Sequence, residues 1–419
     1  MSMEQFIIEG NRNLNGTIPV SGAKNAILPA MAACLLAPGT SILHNVPHLI
    51  DLKTMSLLLR VLGARVELEE NVMTIDASHI DSYEAPYELV NKMRASIYVL
   101  GPLLARLGIT KVSFPGGCAI GTRPVDLHLM AMEALGAHIT VEHGYINAKA
   151  DKLVGTDIYF PKSSVGATIN TLMAAVQAKG VTRIFNAAME PEVDSTIDLL
   201  NKMGAKINGK GTTTLEIEGV EELIPVEMNI IPDRIEAGTF LIAGALSKNP
   251  VTVANCESAH LTAVLEKLRE SGCELEIEDK AITVIPPFSI KPVNLITLPY
   301  PGFPTDLQAQ FTVLMSLADG VSFIEDTIFP ERYMHIAELN RLQANIKIER
   351  NIAAVKGVKE LSGAEVMATD LRASAALVLA GMVAKGTTIV SRIYHIDRGY
   401  EHIETKLNAI GAKITREEV

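Results

Sequence analysis

The sequence predicts an α/β protein assembled from six copies of one unit, strand–helix–strand–strand–helix. Three observations predict it. A helix ending in a small-residue turn recurs at Leu62-Gly63-Ala64, Leu135-Gly136-Ala137, Met203-Gly204-Ala205, Ser271-Gly272-Cys273, Leu342-Gln343-Ala344 and Ile410-Gly411-Ala412, a period of about 70 residues. A second helix in each unit ends as regularly, at Ala37-Pro38-Gly39, Arg106-Leu107-Gly108, Ala178-Lys179-Gly180, Ser247-Lys248-Asn249, Ala318-Asp319-Gly320 and Ala384-Lys385-Gly386. Gly or Asn in those places suits the left-handed residue that closes a helix. Third, the two ends are complementary. Residues up to Leu36 supply strands and a second helix without a first half, and 387–419 supply a first half without its last strand and second helix. Closure of the N-terminal strands onto the C-terminal unit repairs both.

Each unit opens on a short strand, as at 41–46, 183–186 and 388–391. An amphipathic helix follows, as at 52–62 and 195–203, and after its turn come two alternating β-like runs, as at 65–68 and 73–76. The second helix then closes the unit. Runs such as 26–36 and 375–384 are apolar all round but too short to cross a bilayer, so they read as buried helices. By pattern alone the six units could group as one ring, two threes or three twos.

With 419 residues, 48% of them apolar and no Trp, the chain can bury sizeable aliphatic cores in about two to three domains. A net charge of −11 argues against a protein that coats nucleic acid or an anionic membrane, but leaves small anionic ligands open. Cys34, Cys118, Cys256 and Cys273 show no C-x-x-C and no metal-ligand spacing, which points to a reducing compartment. Cys34 reads as core, Cys256 as a strand end and Cys273 as a helix end. The opening Met-Ser-Met-Glu-Gln lacks a signal peptide's basic and apolar regions, so the expected location is cytoplasmic. Phosphate-loop, dinucleotide and H-E-x-x-H motifs are missing from the sequence. No metal and no cofactor is expected, and His128, His335 and His395 read as structural or supporting groups.

Chemistry is expected in two places. The stretch Phe114 to His128 sets Cys118 among Gly116, Gly117 and Gly121, five residues before Arg123, with Pro124 suited to the first turn of a helix. Positive charge and helix-end N–H groups favour a thiolate, which makes Cys118 a candidate reactive residue; a plain turn cysteine is the even alternative. The other place is the start of the second helices: Lys24-Asn25, Arg94-Ala95-Ser96, Lys162 to Gly166, Asp233 to Glu236, Thr305-Asp306 and Asp370-Leu371-Arg372. Every one carries a charged side chain, most of them Lys or Arg. A cation there costs a helix roughly 0.3–1 kcal/mol, so its repetition points to an anionic ligand that offsets the cost. Arg123 and Arg398, near the starts of first helices, would enlarge the cationic cluster. Asp306, a carboxylate among bases, is a candidate general base, with helix capping the equal alternative.

Five stretches carry a resemblance: Ser21 to Ala26, Gly117 to Pro124, Tyr300 to Asp306, Asp370 to Arg372 and Asp397 to Glu401. On them the chain resembles the UDP-N-acetylglucosamine 1-carboxyvinyltransferase family of enolpyruvyl transferases, in the EPSP synthase superfamily, essentially from end to end. The resemblance implies a two-domain inside-out α/β barrel, three repeats per domain. The domains would be 21–231, carrying the Cys118 loop, and 1–20 with 232–419, closed by the N-terminal strands, with the active site in the cleft between. The implied reaction moves enolpyruvyl from phosphoenolpyruvate to the 3′-hydroxyl of UDP-N-acetylglucosamine by addition and elimination through a tetrahedral phospho-ketal, releasing phosphate.

By the same resemblance, Lys24, Arg123 and Arg398 would hold the phosphate and carboxylate of phosphoenolpyruvate, with Asn25 beside them. Arg94, Arg123, Pro124, Val125, Asp126, Leu127, Lys162, Ser163, Ser164, Val165 and Ile328 would bind the UDP-sugar. Asp306 would take the hydroxyl proton and Cys118 would protonate the methylene carbon; Asp370 is grouped with the catalytic residues and Arg372 with those that bind substrate. Fosfomycin would alkylate Cys118. Neither nucleic acid nor membrane is an implied partner. The run Ile328 to Tyr333 carries Pro330 where many relatives have a Glu-Asn pair, resembling the second copy that some low-GC Gram-positive bacteria keep. The alternatives are an EPSP synthase-like transferase and a non-catalytic ligand-binding repeat protein.

Overall fold

The computed structural model describes residues 4–10, 13–114 and 125–418. They divide into two compact units, one formed within 22–231 and the other from 4–21 with 232–418. Each has its own apolar core. The described residues form six four-stranded sheets, three in each unit.

In the 22–231 unit, one sheet runs Glu227–Asn229, Thr40–His44, Val72–Asp76, Arg65–Glu69. The last three are the strand and hairpin of one repeat, paired antiparallel. The first comes from the end of the third repeat and pairs parallel, with Ile42 opposite Glu227. Likewise Glu84–Ala85 joins Ile109–Ser113, and Asp157–Tyr159 joins Val181–Phe185. Each repeat thus ends one sheet and begins the next, and the third returns to the first. These short strands correct the expected unit, which lacks them. At two to three residues they are too short to show alternation, and they exist because a neighbour's edge pairs with them.

The other unit repeats the scheme. Strand Glu4–Glu9 lies between Thr387–Ser391 and Ile414–Glu418, with Ile7 opposite both Ile389 and Thr415. Gly16–Pro19 pairs parallel with Val251–Ala254.

Two kinds of helix follow from two kinds of pattern. Helices such as Val165–Ala175 and Leu371–Val383 are mostly apolar and buried along nearly their whole length, with a few polar side chains such as Asn170 and Arg372 buried among them. Helix Ile50–Val61 buries one face; Pro191–Lys202 is buried over most of its length, with only Asn201 and Lys202 exposed, and starts earlier than its periodicity suggested because Pro191 opens its first turn. Cys34, Cys256 and Cys273 are buried.

The helix-ending turns share one backbone geometry. Gly63, Gly136, Gly204, Gly272 and Gly411 have φ between 95° and 109°, and Gln343, in the copy without glycine, is held at 68°. The second helices close on Gly39, Gly108, Gly180, Gly320 and Gly386, all at positive φ. Asn249 departs from the expectation, since it is not left-handed. Its amide and the Ser247 hydroxyl both donate to the Leu14 carbonyl, tying the turn after that helix to the N-terminal segment, while backbone N–H groups of Leu246 and Ser247 close the helix itself.

Candidate active site

The candidate residues fall in both units. In the 22–231 unit Lys24 opens helix Lys24–Ala33, which has no side-chain cap and no acid in its first turn. A lysine there opposes the helix dipole. Asp51, in the first turn of Ile50–Val61, compensates: its carboxylate lies 2.6 Å from Lys24 Nζ, with both side chains largely buried. Asn25 follows, half-buried.

Arg94 opens a 3₁₀ helix, Arg94–Val99, which runs into Leu100–Leu107. The residue that ties this stretch to its neighbours is Asn170, fully buried on Val165–Ala175. Its Oδ1 accepts from Gly101 N–H (2.7 Å), and its Nδ2 donates to Ile97 C=O (2.9 Å) and to His128 Nδ1 (3.0 Å). The oxygen is committed to Gly101, so the amide must donate to His128, whose proton then sits on Nε2. Burial, helped by the Arg94 charge, pushes His128 down to about 4, so the ring is neutral.

His128 belongs to helix Asp126–Ala134. Val125 and Leu127 are buried while Asp126 is exposed. What Val125 and Leu127 can offer a ligand is therefore main chain, and the first N–H groups of that helix have no intrahelical partner. Ser164 caps Val165–Ala175 by accepting from Ala167 N–H; Lys162 is exposed and Ser163 and Val165 are half-buried. Cys118, Arg123 and Pro124 lie outside the described residues.

In the other unit the centre is Asp306, inside the 3₁₀ turn Thr305–Leu307. Its Oδ1 accepts from Arg332 Nη1 (2.8 Å) and its Oδ2 from Arg372 Nη2 (2.9 Å). Burial works against ionisation, but the Arg372 and Arg332 charges outweigh it and hold the carboxyl well below the usual range. Asp306 keeps 26% of its side chain exposed, against 6% and 5% for the two arginines. Capping is not its role; Asp233 and Asp370 are the carboxylates that cap helices, each accepting two N–H bonds at a helix start. Arg372 leaves that cap and lies against Tyr400, whose hydroxyl also meets Thr239 and Gln310.

Arg398 ends the 3₁₀ helix Ile393–Arg398, half-buried. Its neighbours fix it: Asp397 takes two bonds from Arg416 (2.9 and 2.7 Å), and Gly399 packs so closely that a Cβ would fall 2.5 Å from Leu371 Cδ2. Ile328 is half-buried, with its N–H bonded to Asp326.

Two guanidiniums on one partly exposed carboxylate suit an anionic ligand that also presents a proton to remove. The pattern of helix starts points to Asp306, Asp370 and Arg372 together. It misses Arg332, which precedes a first helix, Met334–Arg341, as Arg398 precedes its own. Comparing repeats at that position was the available signal. Asp51 and Asn170 carry none, since each looks like an ordinary helix residue.

The sheets, repeats and charged centre define a protein with the fold of the enolpyruvyl transferases. NikO from Streptomyces tendae, an enolpyruvyl transferase, superposes with a TM-score of 0.89 over 100% of both chains at 24% identity. A family model described as EPSP synthase (3-phosphoshikimate 1-carboxyvinyltransferase) matches residues 8–407, and the chain belongs to that family. Within it, relatives named UDP-N-acetylglucosamine 1-carboxyvinyltransferase are similar over nearly the whole length. That of Desulfosudis oleivorans is 55% identical, covering 99% of both chains, and that of Chloroherpeton thalassium 56% identical, covering 99% of this chain and 97% of its own.

Proposed function

We propose that the chain transfers the enolpyruvyl group of phosphoenolpyruvate to the 3′-hydroxyl of UDP-N-acetylglucosamine and releases phosphate, the first committed step of peptidoglycan synthesis. The carrying observation is identity above 50% along the full chain to enzymes named for that reaction, among them a third from Hydrogenovibrio crunogenus. An EPSP synthase-like activity is not favoured, because the relatives above 50% identity along the whole chain are named for the UDP-sugar activity. The two compact units are the two transferase domains of this reading.

In the addition step the 3′-oxygen bonds to C2 of phosphoenolpyruvate while its proton passes to Asp306. The C2–C3 double bond takes a proton from Cys118, giving the phospho-ketal. Elimination returns a proton from the new methyl group to the Cys118 thiolate and breaks the C2–O bond, phosphate leaving with that bond's electron pair. Lys24, Arg123 and Arg398 neutralise the phosphate and carboxylate, with Asn25 beside them. Arg94, the 123–127 and 162–165 segments, Ile328 and Arg372 hold the UDP-sugar. Asp370 fixes the helix start that presents Arg372. A carboxylate held by two guanidiniums is a weak base, so Asp306 works best when the bound UDP-sugar draws Arg372 away while Arg332 keeps the carboxylate in place. Fosfomycin alkylates Cys118, and the protein works in the cytoplasm; no helix of the described residues is long and apolar enough to cross a membrane.

The test is phosphate release from phosphoenolpyruvate with UDP-N-acetylglucosamine, with shikimate 3-phosphate and with neither, for the wild type and Cys118→Ala. Release that needs the UDP-sugar and collapses in the variant is expected. Release driven by shikimate 3-phosphate would assign the sister reaction, and no release at all would leave a binding protein.

A further inference from the structure

A second carboxylate, absent from every motif above, is built into the Asp306 centre. Asp326 ends strand Val321–Asp326 and is fully buried. No cation bonds it among the described residues. Its Oδ1 accepts from the Thr297 hydroxyl (2.8 Å) and from the N–H groups of Ile328 (3.0 Å) and Phe329 (2.8 Å). Its Oδ2 accepts from the Thr305 hydroxyl at 2.6 Å. Four neutral donors thus replace water around a charge that is costly to bury otherwise.

The direction of the Thr305 bond matters. An ionised carboxylate can only accept, so the single hydroxyl proton of Thr305 must point at Asp326. The hydroxyl then presents only lone pairs elsewhere, and one of them accepts from Arg332 Nη1 at 3.2 Å. That same nitrogen donates to Asp306 Oδ1. The order Asp326, Thr305, Arg332, Asp306 is therefore a chain of bonds with fixed polarity. Oδ1 of Asp326 meanwhile holds the turn that carries Ile328.

We propose that Asp326 is a positioning residue which, acting through the Thr305 hydroxyl, holds Arg332 on the Asp306 carboxylate. The proposal rests on reading Asp306 as the group that receives the substrate's hydroxyl proton. In Asp326→Asn an amide facing Thr305 would donate to it, turn the hydroxyl proton towards Arg332 and break the sequence of bonds.

The experiment is steady-state phosphate release with UDP-N-acetylglucosamine for the full chain and four variants: Thr305→Val, Thr305→Ser, Asp326→Asn and the Thr305→Val/Asp326→Asn double. Thr305→Val should lose about 10- to 100-fold in kcat, the cost of a misplaced catalytic group. Its KM for the UDP-sugar should stay within about twofold, since the loss falls on the transition state. Thr305→Ser should recover most of the rate, and the double variant should be no slower than Asp326→Asn alone, whereas independent lesions multiply. A Thr305→Val enzyme with unchanged kcat, a loss that serine does not recover, or losses that multiply would each overturn the proposal. Should Asp326→Asn not fold, the two Thr305 variants decide by the same criteria. Failure of the underlying reading is distinct, because Asp306→Asn would then keep phosphate release within about threefold of the wild type.

Discussion

Lowering the pH should destabilise this protein through His128 before its surface carboxylates titrate. An unfolded histidine has a pKa of about 6.5, whereas His128 is held at about 4 by burial and the Arg94 charge. The stabilising effect of a neutral ring is complete above the unfolded value and is lost as pH falls from about 6.5 towards 4. At about pH 5 the unfolded chain has gained nearly the whole proton and the folded ring about a tenth of one. At 1.36 kcal/mol per pKa unit, His128 alone then costs about 2 kcal/mol relative to neutral pH. Protonation would occur on Nδ1, which already accepts from Asn170, so the same event strikes the bonds holding Ile97 and Gly101. His128→Gln keeps an oxygen for Asn170 and removes the titration. Urea unfolding of both proteins at about pH 7 and pH 5 should show a loss about 2 kcal/mol larger in the wild type. Equal losses, or a His128 Cε1–H resonance titrating near its ordinary value, would refute the reasoning. His335, also buried and pushed down to about 4, adds a similar dependence in the other unit and is common to both proteins.

Asp306→Asn removes the charge that balances Arg332 and Arg372; phosphate release should fall by about 10²–10⁴-fold, and a loss under threefold would remove Asp306 from proton transfer. Gln343→Gly should raise stability by about 0.5–1 kcal/mol, read as a higher urea midpoint, because only there does a side chain occupy the left-handed turn that glycine holds in five copies. Gly136→Ala tests the same strain in reverse: its Cβ would meet nothing within 4 Å, so a loss of about 1–2 kcal/mol would come from φ alone. Gly399→Ala forces a methyl group against Leu371 and should raise the KM for phosphoenolpyruvate by displacing Arg398, with little effect on the KM for the UDP-sugar.

The repeat was legible because its punctuation is local. A left-handed turn residue announces itself as glycine, a buried helix as an unbroken apolar run, and a hairpin strand as alternation; each needs only neighbours in sequence. Helix starts were legible for the same reason, and they led to Lys24, Arg94, Asp306, Asp370 and Arg372. The short parallel strands were not, because Glu84–Ala85 is a strand only by pairing with Ile109–Ser113. Asn249 looked like a left-handed cap until the Leu14 carbonyl, over 200 residues away, proved to be its partner.

By itself the sequence determined the six-unit plan, the aliphatic cores, the acidic balance and the family likeness, all properties of residue type and spacing. Only the tertiary structure decided which charges meet. Asp306 could have been a cap, and became an ion-pair centre because Arg332 and Arg372, 26 and 66 residues on, reach its two oxygens. Asp326, Asn170 and Asp51 are ordinary in sequence, and their work comes from distant partners: Thr305 for one, Gly101 and His128 for another, Lys24 for the third. Hydrogen bonds and ion pairs act over about 3 Å, and which groups come that close is settled by packing, which no local pattern encodes.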